Sequence, residues 1–424
     1  MAAPLVNYHP GALRGSVAVP GDKSISHRAL IAGAAGSTPL RIANLNAGRD
    51  VRATREALTA LGVRVQSDGN DVVVSGGRLL SPATRLDCMN SGSTARMLLG
   101  ACAGANVEAW FDGDSSLRRR PMEPVAAQLR AFGAKIETTD GRLPLQLRGT
   151  PEIQTRHFIL LNPSAQIKSA VLFAGLFAGV AVTVDGDRGS RDHTERLLAY
   201  LGAEIEWDGR AARLGRCRLA GGSATVAGDV SAAAFFITAA AITARSEIRI
   251  CDVGVNPTRT GLIDVLRRMG AGIDLTNERT VSGEPVADVS VAYRRLEAAT
   301  IDAATALRAI DEIPLIAIAA AFASGTTTIA GVSDLRSKES DRIAAIERLL
   351  GAVGIDTSYE RGVLRITGGM PAVRAAVRTE HDHRIAMAAA VLACAAGPLS
   401  VDGTESIDVS FPGFDEALAG LQEA

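Results

Sequence analysis

No two of the five cysteines in this 424-residue chain form a Cys-x-x-Cys pair, and the odd, scattered set (Cys88, Cys102, Cys217, Cys251, Cys394) excludes a disulfide framework and a zinc ribbon. Reduced core thiols in a cytoplasmic protein are what remain. Histidine is scarce too: of six, only His381 and His383 stand close, with no third ligand at metal spacing, so no metal is expected. Net charge is also missing. Lys plus Arg number 45 against 46 Asp plus Glu, which leaves no global field for nucleic acid or an anionic membrane and confines any cationic site to a local cluster. The first twenty residues show no charged start followed by an apolar core, so no secretory signal is expected. The uncharged apolar run 169–184 is glycine-broken and shorter than the roughly 20 residues a membrane helix needs. It reads as a buried helix leading into a strand.

What the chain has is repetition. An apolar pair, a glycine and a strand-like run recur at Gly62, Gly133, Gly202, Gly270 and Gly354, a spacing of roughly 70 residues. Glycine after a last helical turn is a C-cap, so each copy reads as helix, stop, strand. A second signature recurs with it, a polar opener before an alanine-rich apolar helix. Its six copies are Lys23-Ser-Ile-Ser-His-Arg28, Asn90-Ser-Gly-Ser-Thr-Ala-Arg96, Ser164-Ala-Gln-Ile-Lys-Ser169, Asp229-Val-Ser231, Asp311-Glu-Ile313 and Asp382-His-Arg384. Helices apolar on nearly every side belong to a core, so the fold class is α/β, six repeated βαβ-type units with helices enclosed by small sheets. One compact domain could hardly bury six such units. The glycine-containing connections before Lys23 and before Val230 divide them three and three, into a discontinuous domain of residues 1–19 and 228–424 and an inserted domain of 20–227.

The openers carry the chemistry. Lys23 and Ser24 fall in the first turn of a helix, where unpaired backbone N–H groups and the macrodipole favour an anion, and Arg28 lies on the same face. Six such N-termini facing a shared space would make a large anion-binding cleft. Arg118-Arg-Arg120 before Pro121 ordinarily marks a solvated face, yet the proline fixes the direction of Arg120. Arg188 and Arg191 lead into a further helix. In Arg336-Ser-Lys-Glu-Ser-Asp-Arg342 a continuous helix is expected to put Lys338 and Arg342 on one face with Glu339 about 100° round. One carboxylate among cations suits proton transfer. Asp311 and Glu312 read either as a helix cap or, for Asp311, as a carboxylate kept ionised by cations and able to act as a general base. His383 reads as a helix cap beside Arg384. Anion subsites with two carboxylates suit a reaction between two phosphorylated or carboxylated small molecules.

Seven collinear motifs then resemble the 5-enolpyruvylshikimate-3-phosphate synthase family: Pro20-Gly-Asp-Lys-Ser-Ile-Ser-His-Arg28, Asn90-Ser-Gly-Ser-Thr-Ala-Arg96, Arg119-Arg-Pro-Met122, Ser164-Ala-Gln-Ile-Lys-Ser-Ala170, Arg191-Asp-His-Thr-Glu195, Lys338-Glu-Ser-Asp-Arg342 and Asp382-His-Arg-Ile-Ala-Met387. The resemblance implies a two-domain inside-out α/β barrel, three units per domain, closing over an active-site cleft. It implies transfer of the enolpyruvyl group of phosphoenolpyruvate to the 5-hydroxyl of shikimate 3-phosphate, without a cofactor, by a cytoplasmic monomer that glyphosate inhibits. Lys23, Ser24, Arg28, Ser164, Ala165, Gln166, Arg191 and Lys338 resemble shikimate 3-phosphate contacts. Lys23, Gly92, Arg120, Gln166, Arg342 and Arg384 resemble the phosphoenolpyruvate side, and Asn90 a further substrate contact. Asp311 resembles the base at the 5-hydroxyl, Glu339 the acid that protonates the methylene carbon, and Lys23 and His383 join them as catalytic residues.

Three departures from the family pattern stand out. Asp22 replaces a commoner Ser, Asp408-Val-Ser-Phe-Pro412 lacks a lysine before Phe-Pro, and Gly92 sits where some glyphosate-tolerant members carry Ala. The sister transferase acting on UDP-N-acetylglucosamine is the alternative, but it carries a reactive Cys in the loop here spanning 112–121 and pairs its first Lys with Asn. A non-catalytic anion-binding clamp is a third reading, disfavoured by Asp311 and Glu339.

Overall fold

The computed structural model describes residues 5–423. They fall into two compact units. One runs to Pro20 and resumes over Gly228–Arg279 and from Pro285 on; the other comprises Gly21–Ala227 with Thr280–Glu284.

The contiguous unit holds three repeats, each with a four-stranded sheet. In the first, α1 (Lys23–Ala35) and α2 (Arg49–Ala60) accompany strands in the order Gly222–Thr225, Leu40–Ala43, Asp71–Ser75, Arg64–Asp68. In the second, α3 (Gly92–Gly104), the short α4 (Ser115–Arg119) and α5 (Glu123–Phe132) accompany Leu86–Asp87, Glu108–Asp112, Arg142–Arg148, Lys135–Thr139. In the third, α6 (Ala165–Ala178) and α7 (His193–Tyr200) accompany His157–Ile159, Val182–Asp185, Ala211–Leu214, Ile205–Trp207. The expected buried helix and strand of 169–184 are α6 and the strand after it.

The other unit follows the same plan. Its α8 (Val230–Ile242) and α9 (Gly261–Arg268) accompany Arg14–Ala18, Glu247–Gly254, Glu284–Ala292, Gly272–Val281. Next, α10 (Ala303–Arg308), α11 (Ile313–Ala321) and α12 (Arg342–Gly351) accompany Thr300–Ile301, Thr326–Ala330, Val363–Thr367, Thr357–Glu360. The sixth repeat keeps its opener helix α13 (His383–Ala396) and ends in α14 (Phe414–Glu423). Its sheet is reduced to Val6–Tyr8 antiparallel to Leu399–Val401, with one parallel bridge from Val377.

In each four-stranded sheet the first two strands are parallel and the third runs antiparallel to the second. Two first strands are exchanged. Arg14–Ala18 leads into α1 along the chain yet pairs with Glu247–Gly254 after α8, while Gly222–Thr225 leads toward α8 yet pairs with Leu40–Ala43 after α1. This is an α/β architecture of small sheets around apolar helices; all thirteen residues of α8 are buried.

Local chemistry explains the helix boundaries. The side chains of Asp22, Ser91, Ser164, Asp229 and Asp382 each accept a backbone N–H at the start of α1, α3, α6, α8 and α13, the N-cap bond that satisfies an orphan donor. The five repeated glycines close α2, α5, α7, α9 and α12 with φ of 86°, 123°, 86°, 95° and 75°. Close packing then sets helix positions. A Cβ at Gly100 or Gly104 of α3 would lie 2.2 or 2.1 Å from the carbonyl oxygens of Ala170 or Ala174 on α6, so these backbones touch and align the two helix starts. Among the described residues no helix is long and apolar enough to cross a membrane. The cysteines are unpaired, and burial pushes the thiols of Cys88, Cys102 and Cys394 up, away from nucleophilic use.

Candidate active site

Within the contiguous unit the openers of α1, α3 and α6 gather one polar cluster. Lys23 begins α1, and its ammonium donates to Asp50 of α2 at 2.8 Å. The unusual Asp22 is spent on the helix itself, accepting from Ile25 N at 2.9 Å. Arg28 is buried and its guanidinium donates to Thr194 Oγ1 at 2.7 Å, Ser169 Oγ at 2.9 Å and the Ser24 carbonyl at 2.8 Å. That ties α1 to α6 and α7 and fixes the guanidinium plane. Burial, opposed by the nearby Glu195 carboxylate, pulls Arg28 down to about 10, still cationic at neutral pH. Between these cations His27 points the other way, its Nδ1 2.7 Å from Thr54 Oγ1 in the interior. Burial pushes this imidazole down to about 3, so it is neutral and structural.

The α3 opener is built around a glycine. Arg120 donates to Asn90 Oδ1 at 2.6 Å, and Asn90 donates to Asp114 at 2.7 Å. Arg96 donates to Gln166 Oε1 at 2.7 Å and to the Pro121 carbonyl at 3.0 Å, while Gln166 donates to Ser93 Oγ at 3.0 Å. A Cβ on Gly92 would meet Arg96 Nη1 at 2.7 Å and Arg120 Nη1 at 3.4 Å, so two guanidiniums converge where this residue has no side chain. Of the arginine run, Arg118 is engaged by Asp112 at the surface and Arg120 turns inward, as the proline suggests. Ser164 caps α6, placing Ala165 and Gln166 in its first turn. Lys168, also from that opener, is buried against Asp187 and Glu195 at 2.6 Å each, and Asp187 accepts from Ser190 N just before Arg191.

In the other unit the cluster centres on Asp311. Its carboxylate lies 3.6 Å from Arg342, 3.8 Å from Lys338 and 3.9 Å from Arg384. Arg342 is 1 % exposed and forks onto protein carboxylates: Nε donates to Asp382 at 2.9 Å and Nη2 to Glu339 at 2.7 Å. Burial opposes its charge, but Asp382 and Glu339 more than offset that and hold the guanidinium protonated. Burial alone would likewise push the Asp382 carboxyl up; the Arg342 charge brings it below the usual range. Asp382 also accepts from Ser340 Oγ at 2.9 Å and from Arg384 N at 3.0 Å. His383, buried, is the first residue of α13, whose cap is Asp382 and not the histidine.

Two expectations need correction. Residues 336–342 are not one helix: a 3-10 turn covers Ser333–Ser337, and α12 starts only at Arg342 because Asp341 caps it, accepting from Ile343 N and Ala344 N at 3.1 Å. Lys338 and Glu339 therefore reach Asp311 and Arg342 from a connecting segment. Nor do Asp311 and Glu312 cap α11; Glu312 occupies the N-cap position without a side-chain cap bond. Asp50 has no place in the sequence reading, and Arg96, Glu312 and Asp382 enter it only as members of helix openers, without the partners they hold here. Only Arg96 carried a usable signal, standing four residues after Gly92 on the same helical face.

A family model described as EPSP synthase (3-phosphoshikimate 1-carboxyvinyltransferase) matches residues 8–418. A 3-phosphoshikimate 1-carboxyvinyltransferase from Anaeromyxobacter sp. (strain Fw109-5) is 44% identical over 428 residues, covering 100% of this chain and 99% of the relative. One from Syntrophotalea carbinolica is 44% identical over 423 residues, with 97% of each chain covered. The solved EPSP synthase of Acinetobacter baumannii superposes with a TM-score of 0.87 at 36% identity, covering 98% of both chains. The enolpyruvyl transferase NikO of Streptomyces tendae, at TM-score 0.77 and 22% identity over 99% of this chain and 98% of its own, shares the fold.

Proposed function

The chain belongs to the EPSP synthase family, the 3-phosphoshikimate 1-carboxyvinyltransferases, and from that premise we propose how its two side-chain clusters divide the work. The enzyme transfers the enolpyruvyl group of phosphoenolpyruvate to the 5-hydroxyl of shikimate 3-phosphate and releases phosphate, a step of aromatic amino-acid biosynthesis. The rival acting on UDP-N-acetylglucosamine is not favoured by these relatives.

The observation that carries the assignment of roles is Asp311 ringed by Lys338, Arg342 and Arg384 at 3.6–3.9 Å, with Glu339 hydrogen-bonded to one of the three. Two carboxylates with different neighbours suit two proton-transfer roles. Glu339 gives a proton to the methylene carbon, C2 becomes electrophilic, and the 5-hydroxyl adds there as Asp311 takes its proton. Reversing the carbon protonation while the C2–O bond to phosphate breaks restores the double bond and frees phosphate. His383 adjoins this cluster and serves it. Lys23, Ser24, Arg28, Ser164, Ala165, Gln166, Arg191 and Lys338 hold shikimate 3-phosphate. Lys23, Gly92, Arg120, Gln166, Arg342 and Arg384 hold phosphoenolpyruvate, guanidinium forks matching its carboxylate and phosphate, and Asn90, which accepts from Arg120, is a further substrate contact. The reaction needs no cofactor, and the enzyme works as a cytoplasmic monomer. Mixing it with both substrates releases stoichiometric phosphate in a colorimetric assay; no release from the pair would overturn the assignment.

Gly92 makes the enzyme glyphosate-sensitive. An added methyl displaces Arg96 Nη1 from 2.7 Å and disturbs its bond to Gln166. Gly92→Ala is expected to raise the glyphosate inhibition constant against phosphoenolpyruvate by about tenfold or more, ~1.4 kcal/mol. An unchanged constant counts against this role.

A further inference from the structure

The α8 opener and Glu312 have no part in the contacts assigned above, yet they form a buried chain that ends on a substrate-side arginine. Glu312 is 1 % exposed. At the N-cap position of α11 its carboxylate would ordinarily accept a backbone N–H, and it makes no such bond. Instead Oε1 accepts from Ser231 Oγ and lies 3.5 Å from Arg384 Nη1 and 3.8 Å from Arg259 Nη2. Arg259, 2 % exposed, donates to Ser231 Oγ at 2.5 Å, and Asp229 fixes Ser231 by accepting its backbone N–H at 2.8 Å. The hydroxyl thus accepts a hydrogen bond from one cation and donates its own to the carboxylate, which also faces the other cation. The same Arg384 Nη1 donates to the Asp311 carbonyl at 3.2 Å.

We propose that Glu312, held by Ser231 and Arg259, is a positioning residue for Arg384 in phosphoenolpyruvate binding. A buried charge is costly unless paired, so a carboxylate set between two guanidiniums holds both only while it stays charged. Arg384 has long rotatable stems; Glu312 and the Asp311 carbonyl grip one nitrogen and leave the rest of its fork directed. The inference rests on the assignment of Arg384 to phosphoenolpyruvate.

Steady-state kinetics of Glu312→Gln test it, since the amide keeps the shape and can still accept from Ser231. The KM for phosphoenolpyruvate should rise about 10- to 100-fold, as small misplacements of a clamp do, with the KM for shikimate 3-phosphate nearly unchanged. Added to Arg384→Ala, the substitution should cost little more, because both act through one group. Ser231→Ala, which only cuts the hydroxyl link, should shift the same constant in the same direction and replaces the test if Glu312→Gln does not fold. An Arg384→Ala variant with raised KM beside a Glu312→Gln variant with normal KM overturns this proposal alone. An Arg384→Ala variant with unaltered KM overturns the parent assignment and this one with it. Equal rises in both KM values would mark Glu312 as merely structural and also overturn it.

Discussion

Glu339→Gln lowers kcat by about 10²–10⁴-fold, the usual contribution of a positioned general acid, while both substrates still bind. Gln retains an oxygen to accept from Arg342, which Glu339 Oε2 does at 2.7 Å, so the neighbouring cation keeps its partner and the fold its packing. Only the transferable proton is lost. Asp311→Ala should fall as far for the complementary reason: the three cations at 3.6–3.9 Å remain, but nothing takes the hydroxyl proton. An effect confined to kcat separates loss of chemistry from loss of binding. Stopped-flow turnover with calorimetric binding of each substrate decides it; wild-type turnover in either variant removes that residue from the mechanism.

Arg342→Met should cost about 3–5 kcal/mol of stability at pH 7, because breaking a buried ion pair strands its partner. Asp382 would be left fully buried opposite a thioether, and Ser340 Oγ and the Arg384 N–H are too few to replace a guanidinium. The pH dependence has a definite sign. In the wild type the Asp382 carboxyl sits below its ordinary value of 3.8, so its contribution is present above that pH and lost as pH falls through the lower folded value. Without Arg342 burial pushes the same carboxyl up, so the variant regains stability on mild acidification and the gap to wild type narrows. Adding Asp382→Asn should recover part of the loss. Thermal melts between pH 5 and pH 8 measure all three; a variant as stable as wild type at pH 7 would mean the pair is not what holds these segments together.

The helix openers were legible because capping is local: Asp22, Ser91, Ser164, Asp229 and Asp382 each meet an N–H within three residues. The glycine stops were legible for the same reason. The 336–342 segment misled because charge spacing suggested a helical face, while the stronger local signal, Asp341 ahead of Ile343 and Ala344, was read as part of the charge pattern. Glu312 and Asp382 could be seen as carboxylates but not as anchors for Arg384 and Arg342, since those partners lie on other elements. The reduced sheet of the sixth repeat and the exchange of first strands depend on pairings between distant segments, which periodicity does not encode.

That exchange bears on the order in which the nascent chain acquires structure. Strand Arg14–Ala18 leaves the ribosome early but has no sheet to join until Glu247–Gly254 is made, whereas Gly222–Thr225 meets a waiting Leu40–Ala43 as soon as it emerges. The contiguous unit can therefore assemble all three of its sheets during synthesis while the N-terminal strand is held open. One piece arrives later: Glu284 must be translated before it can accept from His193 at 2.8 Å in the interior of that unit. Early segments waiting on late ones leave Arg14–Ala18, and still longer Val6–Tyr8 whose partner is Leu399–Val401, open to chaperones and proteases while translation continues.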